Sequence, residues 1–410
     1  MGLRSRRVHR RITAYSTASA CHRTILKHVL SVSSTPDSVS WLRPRNAIEI
    51  ELHRLIARGE SFAMPTFARD QLEMMATRIL QGAGIGEENA KIVAAELVDS
   101  NSVGHDSHGI IRLKQYVESI EAGEVKPGGE MHLVVDLPSV AVLDGGFNFG
   151  QVVAARAFDI ASQRARENGA YTVLCRNSCH VGRLGSYTRK AALDGFAALM
   201  AVNGPAAAAV VPWGGLDPRM GTNPISLAAP WGDEPIVLDM TTSATAEGKI
   251  CVASQKGEAI PEGWIIDKNG NPTTDPDDFY RGGAILPLGG PQGFKGYGLG
   301  VMLDVFCGIL TGYGVARQDV HPGNNGVWVH LIDVEQVIPR QEYQAWMGKY
   351  VAWLKGSRPA PAIDSILLPG EIEAEHRVDR RGGIPVPDTT WQQTLELASK
   401  LAVSLDDIKC

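Results

Sequence analysis

The segment HDSHGIIRLKQY, residues 105–116, holds the densest set of groups able to do chemistry. On a single helix capped by Asp106, the side chains of His108, Arg112 and Tyr116 fall at i, i+4 and i+8, one above another on one face. At ~1.5 Å rise per residue that row is roughly 12 Å long. An imidazole near its ordinary pKa of ~6.5, a guanidinium fork and a phenol could hold a small carboxylate and move a proton beside it. Ser107 or Asp106 could orient the imidazole. The same spacing also describes an exposed polar helix face with an incidental histidine.

Three further segments carry candidates. In CRNSCHVGRLGSY, residues 175–187, His180 follows a β-rich run and precedes a helix. Backbone amides and a helix N-terminus there favour an anion such as a cofactor phosphate. His105 with His108, and Cys175 and Cys179 with His180, are ligand-like, but neither set has the usual zinc spacings and no metal is expected. PWGGLDPRMGTNPISLAAP (212–230) offers a tight turn at Thr222, and DMTTSATAEGKI (239–250) offers consecutive hydroxyls. Such hydroxyls suit phosphate or ribose, or simply form turns. Finally, GGPQGFKGYGLG (289–300) sets Lys295 at the mouth of a helix after a flexible loop.

These segments need elements to hold them. From Met64 onward, Phe67–Leu80 and Glu87–Asn101 read as amphipathic helices, and a third runs from Asp106 to about Glu121. A short strand at Val140–Leu143, a helix at Gln151–Asn168 and a strand at Tyr171–Cys175 follow. A loop at 176–182, a helix near 184–194 and a strand at Ala197–Val202 continue the alternation, which indicates an α/β core. A long helix at 296–311 and a C-terminal helix from about Thr390 complete the reading. Neither Gly82-x-Gly84-x-Gly86 nor Gly296-x-Gly298-x-Gly300 qualifies as a dinucleotide fingerprint, because that turn needs a strand before it.

At 44% hydrophobic and 21% charged, the chain of 410 residues is globular rather than disordered. A net charge of −5 argues against nucleic acid as a main partner, and six scattered cysteines make no disulfide scaffold. Two apolar windows imitate membrane spans. Asn203, Gly204 and Pro205 interrupt 196–213, while Asp304 in 297–316 would cost roughly 2.5–3.5 kcal/mol at a bilayer centre. Both read as buried core, and no membrane is expected as a partner.

Residues 1–63 carry 11 basic and 4 acidic side chains, net +7, against net −12 for 64–410. Rich in Arg, Ser and Thr, this piece reads either as an organelle transit peptide or as a mis-assigned start or disordered tail. The expected location is the cytoplasm, or an organelle if the transit reading holds. The expected organisation is this extension, a helical substrate-binding part at 64–135, an α/β core with cofactor-binding segments at 136–311, and a C-terminal α/β segment at 312–410.

Taken in order, DSHGIIRLKQY, SCHVGRLGSY, PWGG with GTNP, DMTTSATAEGKI, IPEGW with PTTDP, LPLGGPQGFKGYGL and LLPGE resemble the malate/L-lactate dehydrogenase family. These are NAD(P)-dependent oxidoreductases whose α/β fold is not Rossmann. Relatives include ureidoglycolate dehydrogenase, diketogulonate reductase and piperideine-2-carboxylate reductase. The resemblance runs from Met64 to about Ala402 and leaves residues 1–63 without a counterpart.

It implies hydride transfer between NAD or NADP and a small 2-hydroxy/2-oxo acid, in a homodimer. The alternatives on the same scaffold are cyclic-imine reduction, ureidoglycolate-type chemistry, or nucleotide binding without turnover. By position, His108 resembles the proton donor, Ser107 its relay partner and Arg112 the carboxylate clamp. Tyr116 and Thr222 match substrate contacts, and His180 matches a histidine some members use as the acid/base instead. Val181, Gly182, Arg183, Leu184, Gly185 and Gly204 match cofactor contacts. So do Asp239, Met240, Thr241, Thr242, Ser243, Ala244 and Thr245, and then Phe294, Lys295, Gly370 and Glu371.

Two departures bear on substrate. Imine-reducing members complete the relay with an aspartate near the end of DMTTSATAEGKI, where this chain has Lys249, which leans toward hydroxy-acid chemistry. Cys179 and Val181 flank His180 where the family more often shows Asn or Ser and Phe.

Overall fold

Apolar residues at helical spacing build the first layer of the structure. This is a computed structural model, and it describes residues 64–204, 208–316 and 324–408. The readings made for 1–63 lie outside the described residues. Helix α1 (Arg69–Gly82) buries Leu72, Met75, Ala76, Ile79 and Leu80, and α2 (Glu87–Ser102) buries Val93, Ala94, Leu97 and Val98. Helix α3 (Leu113–Glu121) adds Leu113, Tyr116 and Val117 to the same core. Each fully buried Leu, Ile or Met there contributes roughly 1.5–3 kcal/mol. The C-terminal helix Asp388–Lys400 closes this layer through Leu397 and Ala398. The glycine-rich turn 82–86 joins α1 to α2, so no strand precedes it.

The second layer is a seven-stranded sheet. In chain order its elements begin β1 (His132–Asp136), β2 (Val140–Asn148), helix α4 (Gly150–Asn168) and β3 (Ala170–Cys179). Next come α5 (Leu184–Leu193), β4 (Phe196–Asn203), β5 (Ile225–Ala229) and β6 (Ile236–Met240). Helices α6 (Glu247–Lys256) and α7 (Phe294–Leu303) precede the last strand, β7 (Asn324–Asp333). The spatial order is β1-β2-β3-β7-β4-β5-β6. Only β2 and β3 pair in parallel, and α4 is the helix between them. Along β7 the alternate residues Val327, Val329 and Leu331 are fully buried, the period-2 signature of a core-facing strand.

This topology positions the site. With β7 antiparallel to both β3 and β4, those two strands run the same way, and β6 runs with them. The C-terminal ends of β2, β3, β4 and β6 therefore gather at one end of the sheet, with the starts of β5 and β7. Loops carrying His180, Gly204, Thr222 and Thr241 all leave from that end.

The structure differs from the sequence reading at four places. The helix expected from Asp106 to Glu121 is broken into 3-10 turns at Asp106–His108 and Ile110–Arg112, with α3 starting only at Leu113. Asn101 causes the break: its Oδ1 accepts the Ile110 N–H at 2.9 Å, and its Nδ2 donates to Asp106 Oδ1 at 2.8 Å. A Cβ at position 109 would sit 2.2 Å from that Oδ1, so only glycine fits. Asp106 is thus tied to Asn101 and Arg380 rather than capping a helix. The strands expected at Val140–Leu143 and Tyr171–Cys175 run on to Asn148 and Cys179, because they pair with each other and β3 continues along β7. Most of the expected 176–182 loop is therefore strand. The helix expected at 296–311 begins at Phe294 and changes to π-helical form at Asp304–Ile309, where Gly308 lies against the Gly314 carbonyl and the Asn203 amide. Among the described residues, no helix is long and apolar enough to cross a membrane.

Candidate active site

Breaking the helix at Gly109 abolishes the straight ladder of His108, Arg112 and Tyr116, yet the groups still meet. Ser107 Oγ lies 3.0 Å from His108 Nδ1, which fixes one ring nitrogen and leaves Nε2 with no partner among the described residues. Arg112 is anchored on one side: Nε donates to the Ser107 carbonyl at 2.7 Å and Nη1 to Gln115 Oε1 at 2.7 Å. Its Nη2 has no partner among the described residues.

The second histidine comes from the end of β3. Tyr116 Oη lies 2.9 Å from His180 Nδ1, and Gln151 Nε2 donates to the same phenol oxygen at 2.6 Å. The rings of His108 and His180 stack with centroids 5.8 Å apart. Two imidazoles and a phenol thus form one cluster, with the Arg112 guanidinium close enough for its charge to act on both rings. Gly150 makes the close approach possible, since a Cβ there would stand 2.1 Å from the Cys179 carbonyl.

Both imidazoles are held neutral. Burial, then the charges of Arg112, His105 and Arg183, push His108 down to about 3. Burial, then Arg112 and His108, hold His180 well below the ordinary histidine value. The ordinary value of ~6.5 expected for His108 from its type is corrected by burial first and by the neighbouring Arg112 and Arg183 charges after it. Burial likewise pushes the Tyr116 phenol up to about 12, so it stays protonated.

Behind this wall stands an ionic network that the sequence reading missed. Asp99 on α2 accepts from Arg183 at 2.6 Å and from Arg377 at 2.6 Å, and the two cations hold its carboxyl below the usual range against burial. Glu96, one turn earlier, accepts from Ser186 and is pushed by burial up to about 7. Asn101, Gln151, Asp99 and Arg377 were all overlooked. Of these only Asn101 carries a sequence signal, a polar residue placed inside an otherwise apolar helical face of α2.

The expected cofactor positions divide into two groups. Gly185, Asp239 and Gly370 line one crevice together with Arg183 and Arg377. There they engage each other: Gly185 N–H donates to Asp239 Oδ2 at 2.7 Å, and Arg183 is spent on Asp99. Glu371 accepts from the Leu368 amide and pairs with Lys355, so it occupies its own helix start. Val181 and Leu184 are core residues, with Gly182 between them at φ 81°.

In the 239–245 run, Thr241, Thr242 and Ser243 give their hydroxyls to backbone carbonyls, and Met240 packs inward. Thr242 and Ala244 pair with Leu288 and Leu286, which ties this run and buried Thr245 to the segment leading into α7. The Thr222 carbonyl accepts from Thr242. Lys295 and Phe294 are exposed, the latter set edge-on to exposed Trp213 with ring centroids 6.5 Å apart. At Gly204 a Cβ would meet nothing within 4 Å among the described residues.

Comparison with known proteins fits this architecture. The sequence model described as malate/L-lactate dehydrogenase matches residues 67–394. The chain is 37% identical over 346 residues to malate dehydrogenase of Pyrococcus horikoshii, covering 82% of this chain and 95% of that protein. It is 34% identical over 335 residues to L-sulfolactate dehydrogenase of Methanocaldococcus jannaschii, covering 80% and 95%. Among solved structures, delta1-piperideine-2-carboxylate reductase of Pseudomonas syringae pvar. tomato superposes with a TM-score of 0.73 at 30% identity, covering 81% of this chain and 99% of that one. The chain therefore belongs to the malate/L-lactate dehydrogenase family and is, like it, a dehydrogenase.

Proposed function

We propose that this chain is an NAD(P)-dependent dehydrogenase that interconverts a small 2-hydroxy acid and its 2-oxo acid. The observation that carries the reading is the clustering of His108, His180 and Tyr116, with the half-anchored Arg112 close enough for its charge to act on both rings. Space left open at Gly204 by the described residues, exposed Lys295 and the flat faces of Phe294 and Trp213 suit a dinucleotide, with the 241–245 backbone and Gly182 as further contacts. Bound there, the nicotinamide supplies or accepts the hydride.

The chain's own groups do the rest. Arg112 receives the substrate carboxylate through Nη2 and the second Nη1 hydrogen, its aim fixed by Ser107 and Gln115. In oxidation, neutral His108 takes the hydroxyl proton at Nε2, and Ser107 Oγ accepts the hydrogen bond from the Nδ1–H of the resulting imidazolium. In reduction the same imidazolium returns the proton to the developing alkoxide. A carboxylate on Arg112 offsets the nearest cation holding His108 neutral, so substrate itself raises the proton affinity of the imidazole.

Cyclic-imine reduction is the weaker reading. The first turn of α6 backs Ser107, with a Cβ at Gly248 placed 3.4 Å from Ser107 Cβ, but it brings no carboxylate to the hydroxyl. Lys249 there is exposed and Glu247 accepts from Tyr280. The test follows reduced-nicotinamide absorbance with oxaloacetate, pyruvate, sulfopyruvate and a cyclic imino acid, each with NADH and NADPH. Turnover of an oxo acid supports the proposal and decides the cofactor. Turnover confined to the imino acid replaces it, and cofactor binding without any turnover leaves a nucleotide-binding relative. Sedimentation of the full chain checks the homodimer that the family leads one to expect.

A further inference from the structure

Gln151 is fully enclosed in the first turn of α4, and one of its two amide atoms makes a single, functional-looking contact. Nε2 donates to Tyr116 Oη at 2.6 Å, while Oε1 is buried with no partner among the described residues. The phenol in turn meets His180 Nδ1 at 2.9 Å. Burying an amide oxygen without a partner costs stability, which packing alone does not explain.

A phenol has one proton to give, which makes this chain of three directional. In one setting the amide N–H donates to the phenol oxygen, the phenol donates to His180 Nδ1, and the imidazole proton sits on Nε2. Turning the amide over about its last bond reverses everything. The phenol then donates to Gln151 Oε1, His180 Nδ1–H donates to the phenol, and Nε2 is bare. Because the far amide atom is unpartnered, turning over breaks no second hydrogen bond.

We propose that Gln151 is a positioning residue: through Tyr116 its amide selects which nitrogen of His180 carries the proton, and so whether Nε2 meets substrate oxygen as donor or acceptor. Reversible hydride transfer uses both states, since the alcohol needs an acceptor and the carbonyl a donor. If Nε2 takes the hydroxyl proton, both ring nitrogens carry hydrogen. The phenol must then accept from Nδ1–H and pass its own hydrogen bond to Gln151 Oε1. A carboxylate at 151 would favour one setting and an apolar chain the other; the amide serves both. The functional half of this inference rests on the proposed reading that substrate oxygen lies at the histidine pair.

The experiment labels the full chain with 15N-histidine and reads the His180 ring nitrogens from pH 6 to 10. His180→Gln assigns the signals, and the variants are Gln151→Met, of equal length, and Gln151→Glu. In Gln151→Met the phenol has only Nδ1 to donate to, so Nε2 should carry the proton. In Gln151→Glu, as the carboxyl ionises, the proton should move to Nδ1. Turnover supplies the second readout: if His180 rather than His108 is the group that takes the hydroxyl proton, the acid limb of kcat/KM for hydroxy-acid oxidation should fall in the Met variant and rise in the Glu variant, by roughly one pH unit each.

An unchanged tautomer in wild type and both variants overturns the proposal. Tautomers that move while the acid limb stays fixed leave the positioning intact and keep the hydroxyl proton on His108. If Gln151→Met does not fold, Gln151→Leu removes the same amide, and Tyr116→Phe must abolish the response of His180 to Gln151→Glu.

Discussion

The two histidines of the site share burial but differ in what governs their protons. His108 sits on a 3-10 turn cut out of a broken helix, against a freely rotating serine hydroxyl and within reach of Arg112, His105 and Arg183. His180 sits at the end of a strand, where a phenol and an amide hold its Nδ1 by directional hydrogen bonds. Burial leads for both imidazoles and Arg112 is the largest charge acting on each, so a bound carboxylate can change both. Only the second has, in addition, a phenol and an amide whose hydrogen-bond direction places its proton. The difference suits the first to carry a proton and the second to set the polarity of the contact beside it.

The sharpest way to break that comparison is to delete each ring. His108→Ala should lower kcat by roughly 10²–10⁴-fold, and His180→Gln by less. Steady-state turnover with near-normal His108→Ala activity would hand the proton to His180. Arg112→Met should come next, with kcat/KM falling about 10²-fold and both KM and kcat affected, because orientation goes with binding.

Charge control also has a signature in pH. In oxidation by the wild type, the acid limb of kcat/KM reports the free enzyme, whose His108 lies near 3, while that of kcat reports the complex. The kcat limb should therefore lie at higher pH than the kcat/KM limb. Arg112→Met should raise the kcat/KM limb and narrow the gap. Coincident limbs in the wild type would mean that the carboxylate does not bind on Arg112.

Much of this was legible before any coordinates, and the exceptions share a cause. Periodicity placed α1, α2, α4, α5 and β4 to within a few residues, since each buries one continuous apolar face. The site histidines and Arg112 stood out by residue type. The break at Gly109 was not legible, because a glycine in a helical pattern costs only about 1 kcal/mol and Asn101, eight residues earlier, decides the outcome. The hydroxyls of 241–243 read equally as ligands or as turn formers from sequence, and in the structure neighbouring carbonyls accept from all three. Gln151 gave no local signal at all, being polar for a partner 35 residues away.

That break gives a prediction of intermediate size. Gly109→Ala forces a methyl onto the Asn101 amide, 2.2 Å from its oxygen, and should cost about 1–3 kcal/mol of stability. Because the turn aims His108 and Ser107, kcat should fall with it. Asn101→Ala relieves the clash but removes the hydrogen bonds to Ile110 and Asp106. The double variant should therefore be less damaged than the sum of the two singles, as thermal melts would show.

The smallest effect tests the wall behind the site, where proton affinity follows burial rather than charge or direction. Glu96 is raised to about 7 from the ordinary glutamate value, so the folded state holds its proton more tightly than the unfolded one. Its contribution to stability is fully present below the unfolded pKa and is lost as pH rises toward 7, where folding confines a charge that water would solvate better. Glu96→Gln keeps an acceptor for Ser186 but cannot ionise. Relative to wild type, its melting temperature should be nearly level below about pH 4.5, climb as pH rises to about 7 and level off above it. A difference that stays flat with pH would mean that Arg183 and Lys190 already neutralise Glu96, placing it with the charge-governed half of the site.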